Sequence, residues 1–355
     1  MKKVIILLAI LVNLVSCSTL TAPNLIVDYS DEGREKRRQE EERIAALKEA
    51  RKKIKLNSDS EDAEAVSPTH SSVGILTMEK PKVDRDKCIR IVHISDLHSS
   101  IYGKEQENLI KKIKEAEPDL IVLTGNIFDF KTSYDRPIKH VRYLLQGIKG
   151  LAPIYYVSGN TEYYYYHENE FAYLVTDVGG KIIEEKAEVI SLPLGKIIVS
   201  GIADPFFDLT PDERLKSKYS TKKYLERLEE LKVKTEKVQA EAKAAGDKIL
   251  FTLLLAHRPE FIEDYKKAAC FDLILSGHTN GGLWRFGSVI KGLYAEGQGF
   301  FPKYAGGVYE FFDEEHPSAM VVSRGLSYQK LPTPRFGNNE PELGVIDIVP
   351  HESRF

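Results

Sequence analysis

From Cys88 onward the chain is built of short apolar runs, each cut off by small and polar residues. The main runs are Ile89 to Ile94, Leu120 to Leu123, Ile154 to Val157, Ile249 to Ala256 and Leu273 to Leu275. They are continuous rather than alternating and rich in Ile, Val and Leu, which predicts strands buried on both faces of a sheet. Between the first three lie stretches with helical spacing, Glu105 to Ala116 and Ile138 to Ile148. Strand, helix and strand in that order predict α/β units. Later runs at Met320 to Val322 and Leu343 to Val349 predict strands of a second sheet. The highly charged stretch Thr210 to Ala245 carries Tyr224, Leu225, Leu228, Leu231 and Val238 at helical spacing. It predicts a helical insertion between two strands, either a lid or a solvated outer helix.

The segment before Cys88 has a different texture. Lys2 and Lys3 precede an apolar stretch, Val4 to Leu14, too short to span a bilayer comfortably, so residues 1–16 read as an export signal. The run Leu14-Val15-Ser16-Cys17 resembles a bacterial lipobox. That resemblance implies cleavage before Cys17, diacylation of Cys17, and a lipid anchor in a membrane of the bacterial cell envelope; an ordinary signal peptide or an uncut anchor are the other readings. Residues 17–81 read as a spacer: Asp31 to Lys55 is dense in Glu, Lys and Arg, predicting an exposed charged helix, and Asn57 to Thr69 is a polar, acidic linker. The folded domain is therefore expected over residues 82–350. At 355 residues, with 42% hydrophobic and 29% charged, the composition suits one large globular domain plus appendages. Lys and Arg total 50 against 53 Asp and Glu, a formal charge of -3, so nothing global draws the chain to nucleic acid, and no nucleic-acid partner is expected. Beyond Cys17, Cys88 and Cys270 open predicted strands and read as two buried thiols, with a disulfide as the alternative.

The chemistry gathers where the apolar runs stop. They end, in order, at Ser95-Asp96-Leu97-His98, Thr124-Gly125-Asn126, Ser158-Gly159-Asn160, His257-Arg258-Pro259-Glu260 and Ser276-Gly277-His278-Thr279-Asn280. In α/β sheets reactive groups collect beyond the carboxyl ends of strands. Of nine histidines, His98, His257 and His278 lie at such ends, whereas His93, inside a run, reads as a core residue. Three histidines together with Asp96 and two asparagines are hard to explain as packing.

The order D-x-H, G-N-x-x-D, G-N-T-E, H-R-P-E, G-H-T-N-G-G resembles the five-block signature of the calcineurin-like metallophosphoesterases. The stretches Gly292-Leu293-Tyr294, Gly297-Gln298-Gly299, Phe301-Pro302-Lys303-Tyr304 and Val322-Ser323-Arg324-Gly325-Leu326 resemble the membrane-associated bacterial branch. The resemblance covers nearly all of Cys88 to Pro350. It implies a four-layer αββα sandwich, two mixed sheets packed face to face with helices outside. It also implies two divalent cations, Mn, Fe or Zn, that share a carboxylate and an attacking hydroxide. By the resemblance Asp96, His98, Asn126 and Asn280 surround the first metal, and Asn126, Asn160, His257 and His278 the second. Carboxylate and imidazole suit such borderline cations, and a close pair clamps the attacking and leaving oxygens.

Three positions depart from the family pattern. Asn126 stands where the family has a bridging Asp, Thr161 where it has the His that assists the leaving group, and Asn280 where it has a metal-binding His. Two +2 charges about 3.7 Å apart repel by roughly 18 kcal/mol at an effective dielectric of 20, which an anionic bridge normally offsets. Asn126 offers a neutral amide oxygen instead, so one cation or none is expected to bind tightly. Thr161, the candidate at the catalytic position, can donate a hydrogen bond but cannot act as a proton donor near neutral pH. Asp129 and Glu162 are candidate replacement carboxylates. Tyr163 to Tyr166 form an aromatic run at the expected site mouth, and Arg258 and Arg324 are either phosphate contacts or partners in structural ion pairs. Two functions follow. One is hydrolysis of a phosphate monoester or diester at a membrane surface, with lipid-linked or cell-envelope phosphates as substrates. The other is a catalytically impaired lipoprotein that kept the fold as a binding or scaffold module.

Overall fold

The computed structural model describes residues 85–128, 135–164, 168–210, 213, 219–286, 290–311, 316–328 and 335–349. The expected signal peptide, Cys17, the charged spacer, Asp129, Tyr165 and Tyr166 lie outside them. Two large sheets organise the chain. The first has the order β15 (Gly344–Ile348), β1 (Ile89–Ile94), β2 (Leu120–Leu123), β3 (Ile154–Tyr156), β4 (Lys181–Ile182). Its strands run parallel from β1 to β4, and β15 is antiparallel to β1. The second has the order β12 (Gly307–Phe311), β13 (Ser318–Val322), β8 (Leu273–Ser276), β7 (Ile249–Ala256), β6 (Gly195–Ile202), β5 (Lys186–Leu192). It has a parallel centre and antiparallel strands at both edges. Two small pairs, β9 (Trp284–Arg285) with β14 (Phe336–Gly337) and β10 (Tyr294–Ala295) with β11 (Gly299–Phe300), lie beyond β8.

The continuity of the apolar runs has a direct cause. In β1, Ile89 and Ile91 point into one core while Val92 and Ile94 point into another; in β2, Leu120 and Val122 oppose Ile121 and Leu123 in the same way. The first core lies between the sheets, where these residues meet Leu253, Leu255 and Leu275 of β7 and β8. The outer face of the first sheet is covered by α1 (Glu107–Glu115), α2 (Asp135–Ile148) and α4 (Glu168–Asp177), through Leu109, Ile113, Leu144, Leu145 and Phe171. A five-residue helix, α3 (Asn160–Tyr164), precedes α4. The outer face of the second sheet is covered by α5 (Thr221–Ala244) and α6 (Ile262–Ala268), through Tyr224, Leu228, Leu231 and Tyr265. The result is the four-layer αββα sandwich.

The charged stretch around residues 210–245 yields α5, which joins β6 to β7 and lies as an outer helix with its apolar stripe on the second sheet. Its polarity reflects a helix with one face in solvent. Of the two late runs expected in the second sheet, Met320 to Val322 lies in β13 of that sheet, whereas β15 instead pairs with β1 and completes the first. Cys88 and Cys270 are free and buried. Among the described residues no helix is long and apolar enough to cross a membrane.

If α5 is a structural layer, Leu231→Ala will cost about 2–5 kcal/mol in urea denaturation, as expected for a fully buried leucine. Val233→Ala, on the exposed face of the same helix, will change stability by less than about 0.5 kcal/mol. Equal, near-zero effects at the two positions would show α5 to be undocked.

Candidate metal centre

All seven candidate ligands lie just beyond the strands that precede them, and five are held in left-handed backbone: Asp96, His98, Asn126, His278 and Asn280 have φ between 45° and 69°. This conformation is uncommon outside glycine and marks segments over-determined by their surroundings. The constraint here is cross-loop bonding. Asp96 N donates to Gly125 O (3.0 Å), His98 N to Asn126 O (2.9 Å) and Gly277 N to His257 O (3.0 Å). Two glycines permit the close approach. A Cβ on Gly277 would lie 1.9 Å from Ser95 Oγ, and one on Gly159 would lie 2.4 Å from Asn126 Oδ1.

Glu162, a buried carboxylate at the start of α3, ties these loops together. It accepts from the backbone N–H groups of Asn126 (2.9 Å), Ile127 (2.8 Å), Phe128 (3.3 Å) and Gly159 (2.8 Å). Burial raises its carboxyl to about 7 against the pull of these donors. Glu162 is therefore not a replacement metal ligand, since both its oxygens are committed to the backbone.

The ligands meet in one polar cluster. Asp96, fully buried, accepts through Oδ2 from Ser95 Oγ (2.6 Å) and His278 N (2.8 Å), and His98 Nε2 lies 3.7 Å from its Oδ1. Burial pushes the Asp96 carboxyl up, but hydrogen bonding from His98 and Ser95 helps bring it well below the usual carboxylate range. Asn126 stands at the centre. Its Nδ2 donates to Asp96 Oδ1 and to Asn160 Oδ1, both at 3.1 Å, while its Oδ1 accepts from Thr161 N (3.0 Å) and faces Thr161 Oγ1 (2.8 Å). A backbone N–H can only donate, so the Thr161 amide fixes which end of the Asn126 side chain is the oxygen. The nitrogen of the Asn126 side chain, not the oxygen expected to face a metal, points to Asp96 and Asn160. The Thr161 hydroxyl bonds Asn126 Oδ1 and Phe128 O (3.1 Å) and so helps orient Asn126.

The histidines differ in what they leave open. His257 Nδ1 lies 2.5 Å from Thr124 O and must donate to it, which leaves Nε2 as an acceptor, buried and without a partner. An imidazole anchored this way through its other nitrogen is the usual form of a metal ligand. His278 Nε2 accepts from Arg258 Nη1 (3.1 Å), so Nδ1 carries the hydrogen, and it too is buried without a partner. Burial keeps both rings neutral, lowering their pKa values below the ordinary histidine value. Asn280 donates to His278 O (3.3 Å) and accepts, through Oδ1, from Arg335 Nη2 (3.1 Å). Arg335 has no motif to announce it, 55 residues along the chain from Asn280. Burial lowers its guanidinium to about 10, with Asp96 pulling in the opposite direction, and it remains charged at neutral pH.

The remaining candidates are structural. Arg258, fully buried, is paired with Asp204 (2.7 Å) and Glu260 (3.3 Å), and Arg324 with Glu342 (2.6 Å), so both are ion-pair partners rather than free phosphate contacts. Tyr163 is buried with Ala203, Phe206 and Leu209 and accepts from Ser158 Oγ, away from any site mouth. His93 bonds Thr124 Oγ1 (2.7 Å) inside the core.

Two mixed sheets stacked between helices, with Asp, His and Asn side chains converging beyond their strands, define a sandwich-type phosphoesterase architecture. The chain belongs to the calcineurin-like phosphoesterase family, whose model matches residues 89–281. Members of this family are hydrolases of phosphate esters and as a rule bind divalent metals. Similar chains include an uncharacterized metallophosphoesterase of Helicobacter pylori, 25% identical over 260 residues and covering 70% of this chain and 56% of that one. Others come from Aquifex aeolicus (28%, covering 70% and 82%) and Bacillus subtilis (27%, covering 73% and 78%). The chain thus spans just over half the length of the Helicobacter relative. Among solved structures, TT1561 of Thermus thermophilus aligns over 67% of this chain and 90% of that one, at 14% identity and a TM-score of 0.41.

The donor set does not fit a pair of cations. An amide NH₂ occupies the bridging position, and Arg258 and Arg335 spend the acceptor atoms of His278 and Asn280. Among the described residues no group of three or more His, Cys, Asp or Glu side chains is placed to hold a metal ion.

Glu162→Gln will leave two of the four N–H donors facing an amide NH₂ and will lower stability by about 1–3 kcal/mol. Hydrogen exchange at Asn126 to Phe128 will accelerate in the same variant; unchanged exchange there would mean that the loop is held by other contacts.

Proposed function

We propose that this chain is a lipid-anchored, phosphate-ester-binding member of its family in which the hydrolytic step is weakened. The observation that carries the reading is the Asn126 side chain, whose NH₂ joins Asp96 to Asn160. A family bridge is anionic and draws two cations together. An amide donor in the same place satisfies the surrounding oxygens itself and supplies no charge to offset cation repulsion. The retained Asp96, His98, Asn160, His257 and His278 preserve the shape and polarity of a phosphate-ester site. Thr161 cannot supply the leaving-group proton. Lipid-linked or cell-envelope phosphates are the proposed ligands, in keeping with the lipobox-like run at Cys17.

The test compares the native chain with Asn126→Asp, Thr161→His and Asn280→His combined. The native protein will carry at most about one tightly bound divalent cation and hydrolyse aryl phosphates poorly. The triple variant will gain metal and turnover, and single changes will recover far less because the groups act as a unit. Two metals and equal turnover in the native protein would overturn the reading.

For the anchor, Cys17→Ala will release the protein from membranes or leave its precursor uncut. Normal processing and unchanged membrane fractionation in that variant would remove the lipid-anchor part of the proposal.

A further inference from the structure

Resting on the phosphate-ester reading above, we propose that Arg335 is the resident cation of this site and binds the ester's phosphoryl oxygens without a metal ion. The position of Arg335 is set by Asn280, whose Oδ1 receives Nη2 at 3.1 Å. Asn280 stands at a position where the family resemblance expects a metal-binding imidazole, so the guanidinium is held where the resemblance places the first cation. Asp96 approaches the same point. A Cβ on Gly325, at φ +74°, would lie 2.6 Å from Asp96 Cβ and 3.2 Å from Arg335 Nη2, so both side chains border the space this glycine leaves open.

Arg335 also differs from its neighbours in having no carboxylate partner among the described residues. Arg258 and Arg324 are held by carboxylates at 2.7 and 2.6 Å. Among the described residues Arg335 forms no ion pair within 4.0 Å, and its bonds go to neutral oxygens, Asn280 Oδ1 and Glu340 O (3.5 Å). A guanidinium carries five donors in a planar fork that matches a phosphoryl group, and its remaining donors are not spent on a carboxylate.

Two further atoms of the cluster lack partners, His257 Nε2 and His278 Nδ1. The first accepts and the second donates, and the two rings are 5.0 Å apart. A phosphate monoester that retains one proton offers both complements, an oxygen for His278 and a hydroxyl for His257, beside a cation for its charge. The Asp96 carboxylate offsets part of the Arg335 charge without pairing with it, which favours a singly charged ligand over a dianion. A phosphate diester, also a single anion, has no hydroxyl to give His257.

The measurement is calorimetric binding of phenyl phosphate to the purified chain, in excess EDTA and in Mn²⁺, with diphenyl phosphate as comparison. The native protein will bind phenyl phosphate equally under both conditions and more tightly than the diester. Arg335→Gln will weaken that binding about tenfold or more at unchanged circular dichroism. Arg335→Lys, which keeps the charge but loses the fork, will fall between them and serves in its place should the Gln variant fail to fold. Binding that appears only with Mn²⁺, or that Arg335→Gln leaves intact, overturns the role of Arg335 while leaving the phosphate-ester reading standing. Absence of binding under every condition overturns both.

Discussion

The Glu162 carboxylate sets the rest of the site in place. The chain leaves β2 and β3 through loops whose N–H groups point inward, where each would be costly if unpaired. One buried side chain collects four of them, drawing Asn126 and Gly159 to within reach of each other. The left-handed turn at Asn126 sits inside that closure, which places its side chain within reach of Thr161. The carboxylate is thereby removed from chemistry. Its position in the G-N-T-E block is explained by backbone pairing alone.

Around this frame the Asn126 side chain has all of its polar atoms paired, while His257 Nε2 and His278 Nδ1 stay open. Replacing a carboxylate by an amide inverts the hydrogen-bonding character of its edge, from accepting to donating. The oxygens of Asp96 and Asn160 face the NH₂ of Asn126, and the side-chain oxygen of Asn280 faces Arg335. The three sequence departures therefore form one coherent change. Asn126 fills the centre, Thr161 fixes its orientation, and Asn280 anchors an arginine.

Much of this was legible in the chain before folding. Continuous runs such as Ile89 to Ile94 announced strands with two buried faces, because a strand between two cores needs apolar residues at every position. The small and polar residues that ended those runs marked the loops of the site. What the sequence hid was distance. Arg335 sits in an ordinary Pro-Arg-Phe stretch, and only the return of the chain past β14 brings it to Asn280. The roles of Thr161 and Glu162 were likewise obscured, since spacing shows which residues share a loop but not which atom of a side chain faces inward. The sheet membership of β15 was misjudged for a related reason: local pattern identifies an element, while its partner is chosen by packing elsewhere.

The pairing of β15 with β1 bears on how the molecule is made. Arg90 and Asp347 meet across that seam although they are 257 positions apart in the chain. Such a contact carries a high loop-closure cost and forms late. As the polypeptide leaves the ribosome, β1 emerges among the earliest of the strands yet keeps one row of backbone donors and acceptors vacant until β15 follows. For that interval the nascent chain carries an open sheet edge, the kind of surface on which neighbouring chains associate. Completion of the first sheet thus waits for β15, the last strand among the described residues, which then takes over the edge from β1.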